Sequence, residues 1–549
     1  MENKEYMLID GNPVEINGEK NLLEVIRKAG IELPTFCYHS ELSVYGACRM
    51  CMVENSHGGM EAACSTVPKA GMEIYTNTER LHKHRKMILE LLLANHCRDC
   101  TTCQKNGKCR LQELASLFGL ESIRFKNLKP EPELDTSSLS IIRDAHKCIL
   151  CGDCVRMCNE IQNVGAIDFV NRGSKMVIGP AFNEPIANSP CVGCGQCAAV
   201  CPTGAIVIRK DTGRVWPELN DKNTKVVAQV APAVRVAMAK EFGLPENENS
   251  MGRITAALRR LGFDEVYDTA TGADLTVLEE SNEFLQRIEA GENLPLITSC
   301  CPAWIQYCEK NHPELMKNVS TCKSPMQMFS SVIKAKYATS SRRVVCVAVM
   351  PCTAKKFECA REEFMHDGVP ETDYVITTQE LIQMIHKAGI VFDELEPEAV
   401  DSVFSTCTGA GVIFGVTGGV TEAVLRRLST DKSKKALMSI AFNDVRGMKG
   451  VKETTIPYGD KEVRIAIVSG LKNAESVIQA LKNGEHFDFI EVMACPGGCI
   501  AGAGTLRPIE QSHKEVEAFS SEAKFTCAND TPYMDYLPLI EEKDKIRKL

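Results

Sequence analysis

Of the 549 residues, 27 are cysteine, and most of them stand at spacings that suit metal or cluster ligation. Cys37, Cys48, Cys51 and Cys64 have ten, two and twelve residues between them. That spacing resembles a 2Fe–2S ferredoxin loop, with Gly46 where backbone must pass close to a cluster; zinc is the alternative metal. His96, Cys100, Cys103 and Cys109 form a second set. It suits a 4Fe–4S cluster in which one histidine replaces a thiolate, or a zinc knuckle with one histidine and three cysteines, and Cys97 stands beside His96 as a rival ligand. Cys148, Cys151, Cys154 and Cys158 are followed by Cys191, Cys194, Cys197 and Cys201, with Pro202 after the last. This is C-x2-C-x2-C-x3-C twice, the bacterial ferredoxin run, in which each fourth cysteine ligates the other cluster. Two 4Fe–4S clusters are expected there. A row of clusters moves single electrons, so the chemistry belongs to the C-terminal part of the chain.

The elements that position these ligands change character near residue 210. Before it, YMLID and PVEIN read as short strands, Asn21–Ala29 as a helix, and residues 79–95 as an amphipathic helix that delivers His96. Residues 125–140 are Pro-rich and polar, as a linker is. After 210, apolar runs alternate with helical stretches such as 253–261 and 275–290: an α/β domain with at least partly parallel sheet. KVVAQVAP, LPLITSC, VVCVAVMP, VRIAIVSG and FDFIEVMAC read as buried strands. Four of them end in the turns APA, SCCPAW, MPCTAKK and ACPGGC, and sites in open α/β sheets form at the carboxyl ends of strands.

Those turns carry Cys301, Cys352, Cys495 and Cys499, which by themselves fit zinc or one more cluster. With their flanking residues they resemble the three motifs of iron-only (FeFe) hydrogenases, and the earlier cluster sets, His96 included, resemble the accessory domains of the larger members. The resemblance runs from about residue 5 to 510. It implies an H-cluster, a 4Fe–4S cubane joined by one thiolate to a diiron subsite with CO, CN⁻ and a dithiolate amine. Cys301, Cys352, Cys495 and Cys499 would hold the cubane, and Cys499 would bridge. Lys355 would hydrogen-bond a cyanide, and the backbone of Ala231, Pro232 and Ala233 would cradle another. Met350, Phe414 and Met493 match positions around the diiron site; their spacing alone suggests core residues.

Proton reduction needs a titratable donor beside the metal, and Cys300 offers a thiol. Glu280, Glu283 and Arg287 have the spacing of a surface ion-pair ladder, yet with Cys300 and Ser320 they match the family's proton path. The chain also departs from the family. Met326 replaces a Gln, Ala233 a Ser and Ala303 a Gly, while Ala501, Ala503 and Thr505 replace an Asn and part of a Gly-Gly-Gly-Gln run. Each change makes the surroundings of the site less polar, which marks a divergent subgroup. Of the cysteines outside these ligand sets, Cys300 has a chemical role, while Cys97, Cys308, Cys322, Cys346, Cys359, Cys407 and Cys527 read as buried small hydrophobes.

The expected architecture is an α+β and α/β multidomain chain. A β-grasp 2Fe–2S domain covers 1–80, and a domain with histidine and cysteine ligands to a 4Fe–4S cluster covers 81–125. A two-cluster ferredoxin domain over 126–210 and a two-lobed H-cluster domain over 211–549 complete it, with residues 510–549 wrapping the surface. With 63 Lys and Arg against 72 Asp and Glu, the net charge of −9 argues against a nucleic-acid binder. No apolar run reaches membrane-spanning length, and the N-terminus lacks a signal sequence, so the expected location is cytoplasmic. The leading function is reversible 2H⁺ + 2e⁻ ⇌ H2, with ferredoxin or flavodoxin as carrier and separate maturation proteins to load the diiron. Against an H2 sensor or a cluster-assembly relative stand Cys300 and Lys355; no added signalling domain is read. A subunit of an NAD-linked complex is a further class, since the first 210 residues also resemble a respiratory-complex subunit. GAGVIFG at 409–415 is too irregular for a nucleotide loop, so NAD would need another chain.

Overall fold

The computed structural model describes residues 5–127, 133–245, 248–401, 407–429, 450–458, 461–505 and 509–528. Residues 128–132 of the expected linker and 529–549 of the expected tail lie outside these. Two compact units result: Met1–Ile161, Gly165–Cys191 and Cys197–Val207 form one, and Gln162–Val164, Val192–Gln196 and Ile208–Leu549 the other.

In the first unit, β1 (Glu5–Ile9) and β2 (Asn12–Ile16) form a hairpin whose turn places both Asp10 and Gly11 at positive φ. With β3 (Met52–Asn55), β4 (Met60–Ala62) and β5 (Glu73–Tyr75) they make a sheet of order β2-β1-β5-β3-β4. Helix α1 (Leu22–Lys28) buries Leu22, Leu23, Val25 and Ile26 in the same apolar cluster as Met7, Ile9 and Val53. Each such fully buried side chain contributes roughly 1.5–3 kcal/mol. Asn21 caps α1, its side chain accepting from Glu24 N at 3.1 Å. Helix α2 (Glu79–Ala94) starts at the Thr78 cap and stops two residues before His96. Its one deeply buried cation, Arg85, donates to the carbonyls of Met50, Met52 and Thr76, so the helix is pinned beside the first ligand loop. Helix α3 (Arg110–Leu117) starts directly after Cys109.

The second unit is built on two four-stranded sheets. The first contains β6 (Thr224–Val230), β7 (Glu265–Asp268), β9 (Arg343–Met350) and β10 (Tyr374–Thr377), wholly parallel in the order β7-β6-β9-β10. The second contains β8 (Leu296–Ile297), β11 (Val451–Tyr458), β12 (Lys461–Ser469) and β13 (Phe489–Met493) in the order β8-β13-β12-β11, with only β11 antiparallel. Strands β6 and β9 are buried along nearly their whole length, which is why their sequences are apolar runs rather than alternations. LPLITSC is shorter than expected. Only Leu296 and Ile297 pair with β13 before the chain turns away toward Cys300. The helix expected at 275–290 is longer, Ala270–Ala290; its first turn is buried but mixes Ala270 and Ala273 with Thr271 and Asp274, so it shows no apolar stripe in the sequence. Strands β7, β10 and β11 are short or polar on one face, and the sequence reading missed them.

The C-terminal segment corrects another expectation. Ile509–Glu522 is helical, and Val516 and Phe519 join the apolar cluster of Phe414 and Met493 instead of lying on the surface. The glycines of GAGVIFG serve packing: a Cβ at Gly409 would stand 2.2 Å from Ser520 O, and one at Gly411 2.3 Å from Ala270 O.

Candidate functional site

Three helices of the second unit begin with proline at the first or second position: Pro232–Glu241, Pro302–Asn311 and Pro325–Lys336. Proline is preorganised for a helix start and gives up no needed hydrogen bond there. The sequence words APA, CCPAW and KSP are therefore helix starts, each directed by the strand or loop before it. All three prolines line a single cavity of about 800 Å³. The positive ends of the helices thus face the same space, which favours an anionic occupant.

Cys301, Cys352, Cys495 and Cys499 line this cavity together. Burial pushes all four thiols up, that of Cys352 to about 11 and that of Cys499 to about 12. Thiols in such surroundings ionise only against a cation, and cluster iron provides one, so the donor set fits a four-cysteine cubane. Gly498 makes the Cys495–Cys499 turn possible. Its φ is +89°, and a Cβ would stand 2.6 Å from Thr417 N. Most of the rest of the wall is apolar and includes Ala231, Ala233, Met326, Met350, Phe414 and Met493, all buried. The residues assigned to the diiron surroundings are thus gathered at one place.

Lys355 also lines the cavity. Its Nζ donates to Glu358 at 2.6 Å and to Cys300 O at 3.2 Å. Burial is the largest single effect and lowers its pKa, but the charge and hydrogen bond of Glu358, joined by Cys352 and Cys300, together outweigh it, and the net shift is upward. Glu358, fully buried one helical turn on, is therefore the residue that keeps Lys355 charged. Sequence reading missed it, although the i, i+3 spacing was visible.

Cys300 lines the cavity, and the charge of Glu280 reaches its thiol. Glu283 accepts from Ser320 Oγ at 2.8 Å and from Arg287 at 2.6 Å. Glu280 is 1% exposed, and neither of its carboxylate oxygens has a partner at full hydrogen-bond geometry. Burial first, and the Glu283 charge second, push its pKa up to about 8; nearby Ser320 and the Ser299 backbone oppose this weakly. The ladder reading fails for these residues, because a solvated ion pair would leave Glu280 exposed. Cys322 is a further thiol here, 3.8 Å from Glu283 Oε2.

In the first unit the thiols of Cys37, Cys48, Cys51 and Cys64 converge. Cys64 is pushed up by its hydrogen bond to Cys51, by burial, and by the charges of Cys51, Cys37 and Cys48. Gly46 has φ +66° in the intervening loop. His96, Cys100, Cys103 and Cys109 line a second cavity with Cys97, Lys147 and Gly204. Cys148, Cys151, Cys154 and Cys201 line a third, of about 410 Å³, in the crossed arrangement of the ferredoxin run. Cys197 is pushed up by burial and then by Cys191, Cys158 and Cys201. Of the cysteines read as buried hydrophobes, Cys308, Cys322, Cys346 and Cys527 are buried, whereas Cys97, Cys359 and Cys407 are only partly so.

The geometry meets known proteins at every segment. Residues 224–503 match the family described as iron only hydrogenase large subunit, C-terminal domain. Residues 6–79 match a 2Fe-2S iron-sulfur cluster binding domain, 85–124 the NADH-ubiquinone oxidoreductase-G iron-sulfur binding region, and 147–209 a 4Fe-4S dicluster domain. The chain is 40% identical over 538 residues to the NADP-reducing hydrogenase subunit HndD of Solidesulfovibrio fructosivorans, covering 95% of this chain and 91% of that one. It is 34% identical over 505 residues to iron hydrogenase 1 of Clostridium pasteurianum, covering 91% and 88%. A solved structure of a variant of the FeFe-hydrogenase HydA1 from Chlamydomonas reinhardtii is 31% identical, with a TM-score of 0.52 over 61% of this chain and 98% of that one. No helix among the described residues is long and apolar enough to cross a membrane. With ferredoxin-type iron–sulfur domains ahead of a hydrogenase domain, the chain belongs to the iron-only hydrogenase family.

Proposed function

We propose that this chain is a hydrogenase that interconverts protons and H2 at an H-cluster held by Cys301, Cys352, Cys495 and Cys499. Bound there, the cluster would supply the redox chemistry of H2 that no side chain can perform. The observation that carries the reading is the single cavity where those four cysteines meet Cys300, Lys355 and an apolar wall. The wall excludes water, so the charges of Lys355 and of the helix starts act at low dielectric. Cys300 holds a proton at the cavity wall. Glu280 is protonated over much of the physiological range, so it can pass a proton between Cys300 and the Ser320–Glu283–Arg287 group.

The same proposal assigns one 2Fe–2S and three accessory 4Fe–4S clusters to the ligand sets above, in four domains over 1–80, 81–125, 126–210 and 211–549. It assigns ferredoxin or flavodoxin as the carrier, separate maturation proteins for the diiron site and a cytoplasmic location. A second reading concerns only the partner. The relative named as a subunit of an NADP-reducing hydrogenase favours an assembly in which another chain binds the pyridine nucleotide. Infrared spectroscopy of matured protein, in the region where iron-bound CO and CN⁻ absorb, tests the function. Bands that shift under H2 are expected. A matured chain rich in iron but without such bands would refute the proposal.

A further inference from the structure

The ligand loop of the second ferredoxin repeat passes through Val192–Gln196, and that segment packs within the C-terminal unit. It is seated there tightly. Thr353, next to Cys352, donates its hydroxyl to Gly193 O at 2.9 Å. Gly195 has φ +71°, and a Cβ would stand 2.4 Å from Thr353 Oγ1 and 2.9 Å from Ala503 Cβ. Cys194 packs in the same apolar cluster as Cys301 and Cys352, and its charge reaches Cys495. The last residue of the segment, Gln196, is fully buried. Its amide nitrogen donates to Cys495 Sγ at 3.1 Å and to Ala501 O at 3.0 Å. Because a backbone carbonyl only accepts, the Ala501 contact fixes the amide orientation and aims an N–H at the sulfur.

We infer that Gln196 sets the reduction potential of the cubane at Cys495, through an N–H···S bond made from the ligand loop of its electron-transfer neighbour. The inference rests on the function proposed above. Hydrogen bonds to cluster sulfurs are among the protein's levers on potential, because a donor favours the state with more negative charge on sulfur. The bond therefore holds the cubane's potential up and favours delivery of one electron from the cluster of Cys194 to the cubane. Gln196 is a positioning residue; it ligates no metal, and its effect is on a potential.

The test uses full-length protein produced without maturation, so that the cubane assembles but the diiron does not. Redox titration followed by electron paramagnetic resonance is run on the unsubstituted protein, Gln196→Leu and the isosteric Gln196→Glu. In both variants the reduced-to-oxidised ratio of the cubane at the original midpoint falls by roughly tenfold or more, the scale of one lost hydrogen bond to a charged group. Iron content and the midpoint of the 2Fe–2S cluster stay the same. An unchanged cubane midpoint with full iron overturns the inference, and so does loss of cubane iron in both variants, which would make Gln196 a packing residue. Absence of any cubane in the unsubstituted protein overturns the functional reading and this inference with it.

Discussion

Replacing Glu280 with Gln keeps the shape of the side chain and removes its titration. In the folded protein, Glu280 has its pKa pushed from 4.5 to about 8, chiefly by burial. The folded state therefore binds a proton that the unfolded chain releases between those values, and stability falls as pH rises through that window. At about 1.4 kcal/mol per pH unit, the unsubstituted protein should lose about 3 kcal/mol between about pH 5.5 and about pH 8 through this residue alone. Glu280→Gln should lose none of it. Both tryptophans, Trp216 and Trp304, lie in the C-terminal unit, so fluorescence-monitored denaturation reads that unit selectively. The same variant should lower H2 evolution from reduced viologen at least about 100-fold, the lower range for removing a positioned proton carrier. Accessory-cluster spectra should be unchanged. The reasoning fails if the two proteins show the same pH dependence of unfolding, or if the variant evolves H2 within about threefold of the unsubstituted rate.

Glu358→Ala removes the partner that holds the charge on buried Lys355, so the lysine must stay charged unpaired or give up its proton; the variant should destabilise the C-terminal unit by about 3–5 kcal/mol and abolish activity, as denaturation and H2 assays would show. Gly498→Ala should prevent the Cys495–Cys499 turn from forming; iron analysis should then show loss of the H-cluster from a full complement of about 20 iron atoms, with the 2Fe–2S signal retained. Cys97 lines the same cavity as His96, which makes a direct comparison possible. Cys97→Ser should keep full iron, whereas Cys100→Ser should lose about four atoms per chain.

Much of the site was legible in the order of residues, because cluster ligands must reach a rigid inorganic core from consecutive turns of one loop, and C-x2-C spacing records that constraint directly. Pro232, Pro302 and Pro325 carried a signal of the same local kind, since proline marks a helix start by its own covalent geometry, but APA and SCCPAW were read only as turns. The buried strands showed as apolar runs for the same local reason, although LPLITSC was overextended because no spacing rule says where a strand leaves its partner. Glu280 was ambiguous: i, i+3 and i, i+4 neighbours look alike on a solvated face and in a core. Only the packing of Ala270–Ala290 against its neighbours decided that Glu280 is buried and Glu283 is held by Ser320. Glu358 and Gln196 were not found at all, since their importance lies in which distant atoms they meet. The sequence by itself determined which residues can ligate metal and which family the chain resembles, because those are properties of side-chain type and local spacing. The tertiary structure decided which of them share a cavity, which carboxylate keeps its proton and which amide points at a cysteine, because burial and charge at a point depend on everything folded around it.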